Sequence, residues 1–315
     1  MITGILAGVT WALETVILGI ALSNVFFLST AGAVALAPFV ATFLHDGFSS
    51  IFMLLFNVCK GELKPLFNTA KTKSFKWIVL ASAIGGPIGM TGYVLAVNNL
   101  GASIGAVASA VYPAIGTALA FFFLKEKVRP YQWLFLVFAL LGVYGLSYSP
   151  SISVGNFWLG LLGALMCAFG WGIEGVILAK CLKDKEIKTE YALWIRQATS
   201  FLIYGAIILP CVGGWGFAIS LFTSQTGWLI PTIALAGLCA TLSYLFYYKT
   251  ISKVGASKAM ALNITYTAWA IIFTVLIVRD YSVLNPLTLI CASVVVVCGI
   301  LSATDLKKLF GKNKD

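Results

Sequence analysis

Ten apolar runs constrain what this chain can fold into. They lie at about 2–22, 33–57, 76–98, 102–124, 130–149, 156–179, 190–212, 227–248, 258–278 and 285–304, each bounded by polar or charged breaks. Most approach the twenty residues that a helix needs to cross about 30 Å of hydrocarbon. Of the 315 residues, 60% are hydrophobic and 10% charged, and the mean hydropathy is +0.97, which is too apolar for a soluble domain of that length. The expected fold is an all-α polytopic membrane protein with ten transmembrane helices.

A net charge of +10 could point to nucleic acid, so the placement of the basic residues decides. If the first helix starts in the cytoplasm, the even-numbered breaks and the tail gather Lys60, Lys64, Lys71, Lys73 and Lys76; Lys125, Lys127 and Arg129; Lys180, Lys183, Lys185 and Lys188; Lys249, Lys253 and Lys258; and Lys307, Lys308, Lys312 and Lys314. Only Arg279 then falls outside and Arg196 within a run. This is the positive-inside pattern, with both termini cytoplasmic and no nucleic-acid partner. The first run lacks a basic n-region and a cleavage site in a polar context, so it reads as a retained helix. Seven cysteines, widely spaced and mostly within the runs, look like small hydrophobes.

The two halves match each other. "YVLAVNNLGASIGAVASAVYPAI" from Tyr93 aligns with "YYKTISKVGASKAMALNITYTAW" from Tyr247 at a constant offset of 154, placing Gly101-Ala102-Ser103 over Gly255-Ala256-Ser257 and Tyr112 over Tyr266. Five helices per copy is an odd number, so the second copy enters the membrane from the opposite side. The expected domains are a first five-helix repeat at 1–149, a second, inverted one at 150–304, and a basic cytoplasmic tail at 305–315. Inverted repeats are the usual architecture of alternating-access transporters, with the site at the repeat interface.

Two carboxylates lie where charge is costly. In "TWALETVILG" Trp11 precedes Glu14 by three residues, and "GWGIEGVILA" repeats the spacing with Trp171 and Glu174 at an offset of 160. A spacing of i, i+3 puts each Trp and its Glu on one helix face. A charge at that depth costs at least about 3 kcal/mol, so it faces a cavity or a partner; the plainer alternative is a neutral Glu bonded to a neighbouring helix. Trp77, Trp133, Trp158, Trp215 and Trp228 fit interfacial anchors, whereas Trp11, Trp171 and Trp269 sit mid-run, with Tyr112, Tyr247 and Tyr266 at similar depth. Aromatic faces around a buried carboxylate suit an organic cation, above all a quaternary ammonium that cannot donate a hydrogen bond.

Other polar residues enter the runs. Arg196 keeps its charge and needs a carboxylate, with Asp46 and Glu190 both available. His45 could titrate in a proton relay or serve as a satisfied structural histidine. "GGPIGMTG", residues 85–92, suits close helix packing or a broken helix beside a site. No metal-ligand cluster, nucleophile–base pair or phosphate-cradling loop stands out, so neither an enzyme nor a cofactor is expected.

The duplicated helices, "LGAS" and "FFFLKEKV" resemble EamA-type members of the drug/metabolite transporter superfamily over essentially the whole chain. Within it, "GGPIGMTGYVLAVNNLGASIGAVASAVYPAIGTALAFFFLKEK", "GWGIEGVILA" and "IRQATSFL" are similar to bacterial choline permeases that feed phosphocholine decoration of the cell envelope. That resemblance implies two inverted EamA-type repeats in the bacterial cytoplasmic membrane, choline uptake, and an aromatic box with an acidic group. Carried onto this chain, the box is Trp11, Tyr112, Trp171, Glu174 and Trp269. Glu14 is added from internal symmetry, and Tyr247 and Tyr266 from their depth. Glu14, His45, Asp46 and Arg196 are the candidates for proton coupling or gating. The rival readings are a proton-coupled exporter of lipophilic cations and a non-transporting receptor or assembly subunit.

Overall fold

The computed structural model describes residues 1–101, 107, 110–148, 156–223 and 226–306, and among these all regular structure is helical. In chain order the principal helices are α1 (Ile2–Leu22), α2 (Ala31–Cys59), α3 (Lys73–Leu100), α4 (Tyr112–Phe123), α5 (Pro130–Leu146), α6 (Phe157–Cys181), α7 (Thr189–Cys211), α8 (Leu229–Val254), α9 (Ala256–Val278) and α10 (Pro286–Ala303). Eight of them are long and apolar enough to cross a membrane, and α4 and α5 are shorter apolar helices. Ala102 and Ser103, the start of the run at 102–124, and Lys307, Lys308, Lys312 and Lys314 lie outside the described residues.

Local chemistry sets the helix starts. Thr30, Thr72, Asn156 and Asn285 accept hydrogen bonds from the otherwise orphaned N–H groups of Ala33, Phe75, Leu159 and Thr288. Pro130 and Pro286 occupy the first turns of α5 and α10, where no N–H partner is needed. Pro87 does not break α3. The chain widens into a π-turn over Ile84–Ile88, which accommodates the missing donor, and then continues helical to Leu100.

Packing follows a regular scheme. α1 lies against α8 and α6 against α3; α1 meets α9 and α6 meets α4; α8 meets α2 and α3 meets α7; α2 pairs with α7, α4 with α9 and α5 with α10. Exchanging each helix for the one five places away reproduces this scheme. Residues with positive φ obey the same exchange. Gly101 (φ 84°, ψ 157°) and Gly255 (φ 94°, ψ 167°) share one positive-φ conformation, and Lys125 (φ 55°) and Arg279 (φ 60°) both have positive φ. Only glycine adopts that geometry at the first pair without strain.

The glycine stripe of α3 is a close-packing surface. An added Cβ on Gly92 would lie 2.6 Å from the Gly163 carbonyl oxygen of α6, and one on Gly86 would lie 2.6 Å from Ser200 Oγ of α7. The expected close approach and the irregular helix therefore occur together.

The lysine-bearing helix ends meet at one pole. Lys127, Lys183 and Lys258 line one cavity there with Glu126. Lys60 pairs with Glu190 at 3.3 Å and Arg129 with Asp305 at 2.9 Å. Hydrogen bonds from Lys188 and then Tyr191 hold the Glu62 carboxyl below its usual range. Glu126 closes this pole by accepting from Ala256 N at 2.8 Å, Ser257 N at 3.0 Å and the Ser257 hydroxyl. A carboxylate on the first N–H groups of a helix is favoured by both hydrogen bonding and the helix dipole. Glu126→Ala should therefore lower the melting point of the purified protein, for a loss of about 1–2 kcal/mol. Glu126→Gln, which keeps an acceptor, should lose less; equal melting of both variants and the parent would refute the cap.

Candidate functional site

Both W-x-x-E units face the interior. The i, i+3 spacing turns Trp11 and Glu14 inward from α1, and Trp171 and Glu174 inward from α6, across α8 and α3. Trp171 meets the edge of Tyr112 with centroids 5.5 Å apart and stacks beside Tyr93 at 6.1 Å. Trp11 makes the mirrored contact with Tyr266 at 6.3 Å, and meets Tyr244 at 5.1 Å. Tyr112 and Tyr266, aligned in the internal match, thus stand edge-on to Trp171 and Trp11 respectively.

Six of the expected residues, Trp11, Tyr112, Trp171, Glu174, Tyr247 and Tyr266, line one cavity. A second, larger cavity shares Trp11, Trp171, Tyr244 and Tyr266 with the first and adds Glu14, His45, Asp46 and Arg196. It extends past Gly19 and Leu22 of α1, toward the pole opposite the lysines. The four shared aromatics form the neck between the two chambers.

A charge chain runs beneath this neck. His45 Nδ1 lies 2.9 Å from Asp46 Oδ1, and its Nε2 lies 3.6 Å from Glu14 Oε1. Arg196 donates from Nε to Glu174 Oε1 at 3.0 Å and approaches Asp46 Oδ2 with Nη1 at 3.4 Å. Its guanidinium also sits 4.7 Å from the Tyr244 ring centre, a cation–π contact. Gln197 accepts from Arg196 at 2.6 Å and donates to Ser49 at 2.8 Å, extending the network into α2. All five charged residues are at most 7% exposed. Burial of this kind is tolerated only with paired charges and filled hydrogen bonds. Of the two partners open to Arg196 in the sequence, Asp46 is taken and Glu190 is not. Glu174, the further partner, was not foreseen.

Trp269 does not join the chamber. It lines an apolar groove with Ile272, Leu276, Leu289 and Val296, on the side of α9 that faces α10. Tyr266, three residues earlier, is the last α9 side chain that lines the chamber. Trp77, Trp158, Trp215 and Trp228 are exposed on the perimeter.

Among the chamber residues that escaped the sequence reading are Tyr93, Tyr244, Tyr248 and Asn263. Tyr93 could have been found, since it aligns with Tyr247 in the internal match. Tyr244 also carried a signal, lying one helical turn before Tyr247 and Tyr248.

Comparison with known proteins bears on this geometry. The EamA-like transporter family matches residues 1–148. Protein LicB of Haemophilus influenzae is 27% identical over 213 residues, covering 67% of this chain and 69% of that protein. A crystal structure described only as that of a protein superimposes with a TM-score of 0.70 at 17% identity, covering 98% of each chain, a likeness of fold. The apolar helices are those of a multi-pass membrane protein, its first 148 residues match the EamA-like transporter family, and the chain is similar to Protein LicB over two thirds of its length.

Proposed function

We propose that this protein imports choline across the bacterial cytoplasmic membrane by alternating access, with ten membrane helices in two inverted repeats and both termini cytoplasmic. The exchange-related packing and the mirrored Trp–Tyr contacts support the repeats, and the lysine-bearing pole supports the orientation. The observation that carries the substrate reading is the aromatic chamber with Glu174 in its wall. Trp and Tyr faces attract a trimethylammonium group for about 2 kcal/mol per desolvated contact.

Charge balance favours a cation here. Glu14, Asp46 and Glu174 oppose one permanent positive charge, that of Arg196, and one titratable imidazole, that of His45. A monovalent organic cation together with a proton on His45 or Glu14 makes the buried cluster neutral. That arithmetic supports proton-linked transport. In this arrangement the larger chamber opens away from the lysines, and Glu126 closes the lysine-bearing pole. This arrangement supports a state open to the outside.

Radiolabelled choline uptake into proteoliposomes tests the reading. Saturable uptake is expected, blocked by unlabelled quaternary amines. An inside-negative potential should drive it, with an accumulation of about fifty-fold at 100 mV for uncoupled cation entry, from about 2.3 kcal/mol per charge. Coupling to protons would add sensitivity to an imposed pH gradient. Absence of uptake in vesicles holding folded protein would overturn the proposal, and ethidium efflux would then test the exporter.

A further inference from the structure

Asn263 ends the helical segment Ala256–Asn263 of α9, next to the turn at 264–265 that precedes the segment Tyr266–Phe273. It is buried, lines the aromatic chamber, and donates from Nδ2 to Tyr112 Oη at 2.9 Å. Its other amide atom, Oδ1, is buried with no hydrogen-bond partner among the described residues. The Tyr248 hydroxyl, in the same chamber, is likewise buried and unpartnered. Buried polar groups are nearly always paired, so an unpaired acceptor facing a cavity marks where a ligand donor fits.

The trimethylammonium end of choline has no use for such a group, because it neither donates nor accepts hydrogen bonds. The hydroxyl end does both. In either orientation of the amide, the Asn263–Tyr112 pair keeps one donor and one acceptor free, the complement of a hydroxyl. Tyr112 also fixes the separation. Its ring stands edge-on to Trp171 while its own oxygen is bonded to Asn263. The polar end of the chamber therefore lies one phenol ring from the aromatic wall, which suits a hydroxyl on a short arm.

We propose that Asn263, held by Tyr112, is the specificity-determining residue that reads the hydroxyl of the bound quaternary amine. This inference rests on the choline reading of the chamber. A substrate with only methyl groups leaves Oδ1 unpaired. Sites built to bond a substrate hydroxyl reject analogues that lack it far more strongly than apolar pockets reject a missing methylene.

The test compares choline with tetramethylammonium in proteoliposomes. The parent protein should favour choline at least about tenfold. Asn263→Leu should raise the KM for choline by about that factor while leaving inhibition by tetramethylammonium unchanged. Tyr112→Phe keeps the ring, removes the oxygen, and should shift the same ratio in the same direction. Unchanged inhibition by tetramethylammonium also reports that each variant is folded. Loss of both ligands in parallel in the two variants, or an undiminished choline preference, would overturn this inference alone. A parent protein that takes up no choline would overturn the underlying reading, and this inference with it.

Discussion

Replacing Glu174 by Gln is expected to lower choline uptake at subsaturating concentration about a hundredfold, in protein that still folds. A unit charge about 5 Å from a carboxylate, at the effective dielectric of about 20 that describes buried sites, gains about 3 kcal/mol. At about 1.4 kcal/mol per decade, that is two orders of magnitude in affinity. Folding should survive because the substitution is nearly isosteric and leaves Arg196 supported. Arg196 Nη1 stays 3.4 Å from Asp46, its Nε can still donate to the Gln oxygen, and Tyr244 remains stacked against the guanidinium. Breaking a buried pair usually costs about 3–5 kcal/mol because it strands a charge, and here the second carboxylate prevents that. Initial rates of labelled choline uptake, with elution volume as a check on folding, give the comparison. Normal uptake by the variant would remove Glu174 from the site.

This expectation combines what the sequence disclosed with what it hid. The Trp–Glu units were legible because i, i+3 is a local relation: knowing that the segment is helical places both side chains on one face. The apolar runs were legible for the same reason, since bilayer thickness fixes helix length. The pairing of Arg196 with Glu174 was not, because it joins α7 to α6 by their packing, and Asp46 and Glu190 were equally acceptable partners on chemical grounds. Depth placed Trp269 with Tyr266, but depth does not say which neighbour a side chain meets, and Trp269 lies in the groove between α9 and α10. Asn263 carried no composition signal at all. Its meaning appears only when α9 breaks at that point and the side chain meets Tyr112 of α4. In the glycine-rich stretch of α3 the sequence left packing and helix irregularity as alternatives, yet the two are one device. The π-turn at Ile84–Ile88 and the bare Cα atoms together let α6 lie close enough to place its functional side chains in the chamber.

Gly85 should therefore behave as a functional position although it carries no side chain. A Cβ there would stand 1.8 Å from Glu174 Oε2 and 2.3 Å from its Cδ, so Glu174 must leave its place beside Arg196. Gly85→Ala is expected to reduce choline uptake about as far as Glu174→Gln does. It should also lose about 1–3 kcal/mol of stability, the usual cost of overpacking. Gly216→Ala, where an added Cβ meets nothing within 4 Å, should change neither property. The cause can be separated from a general disturbance of α3 by a double-variant cycle. With Glu174 cut back to Ala, the atoms that collide with the new methyl group are gone, apart from the Glu174 Cβ at 2.7 Å. Gly85→Ala should then cost much less stability than it does in the parent protein, a coupling expected only between residues in direct contact. Melting curves of the four proteins measure that coupling. Additive losses would mean that Gly85 serves the helix alone, whereas strong coupling would make it the space that the chamber's carboxylate requires.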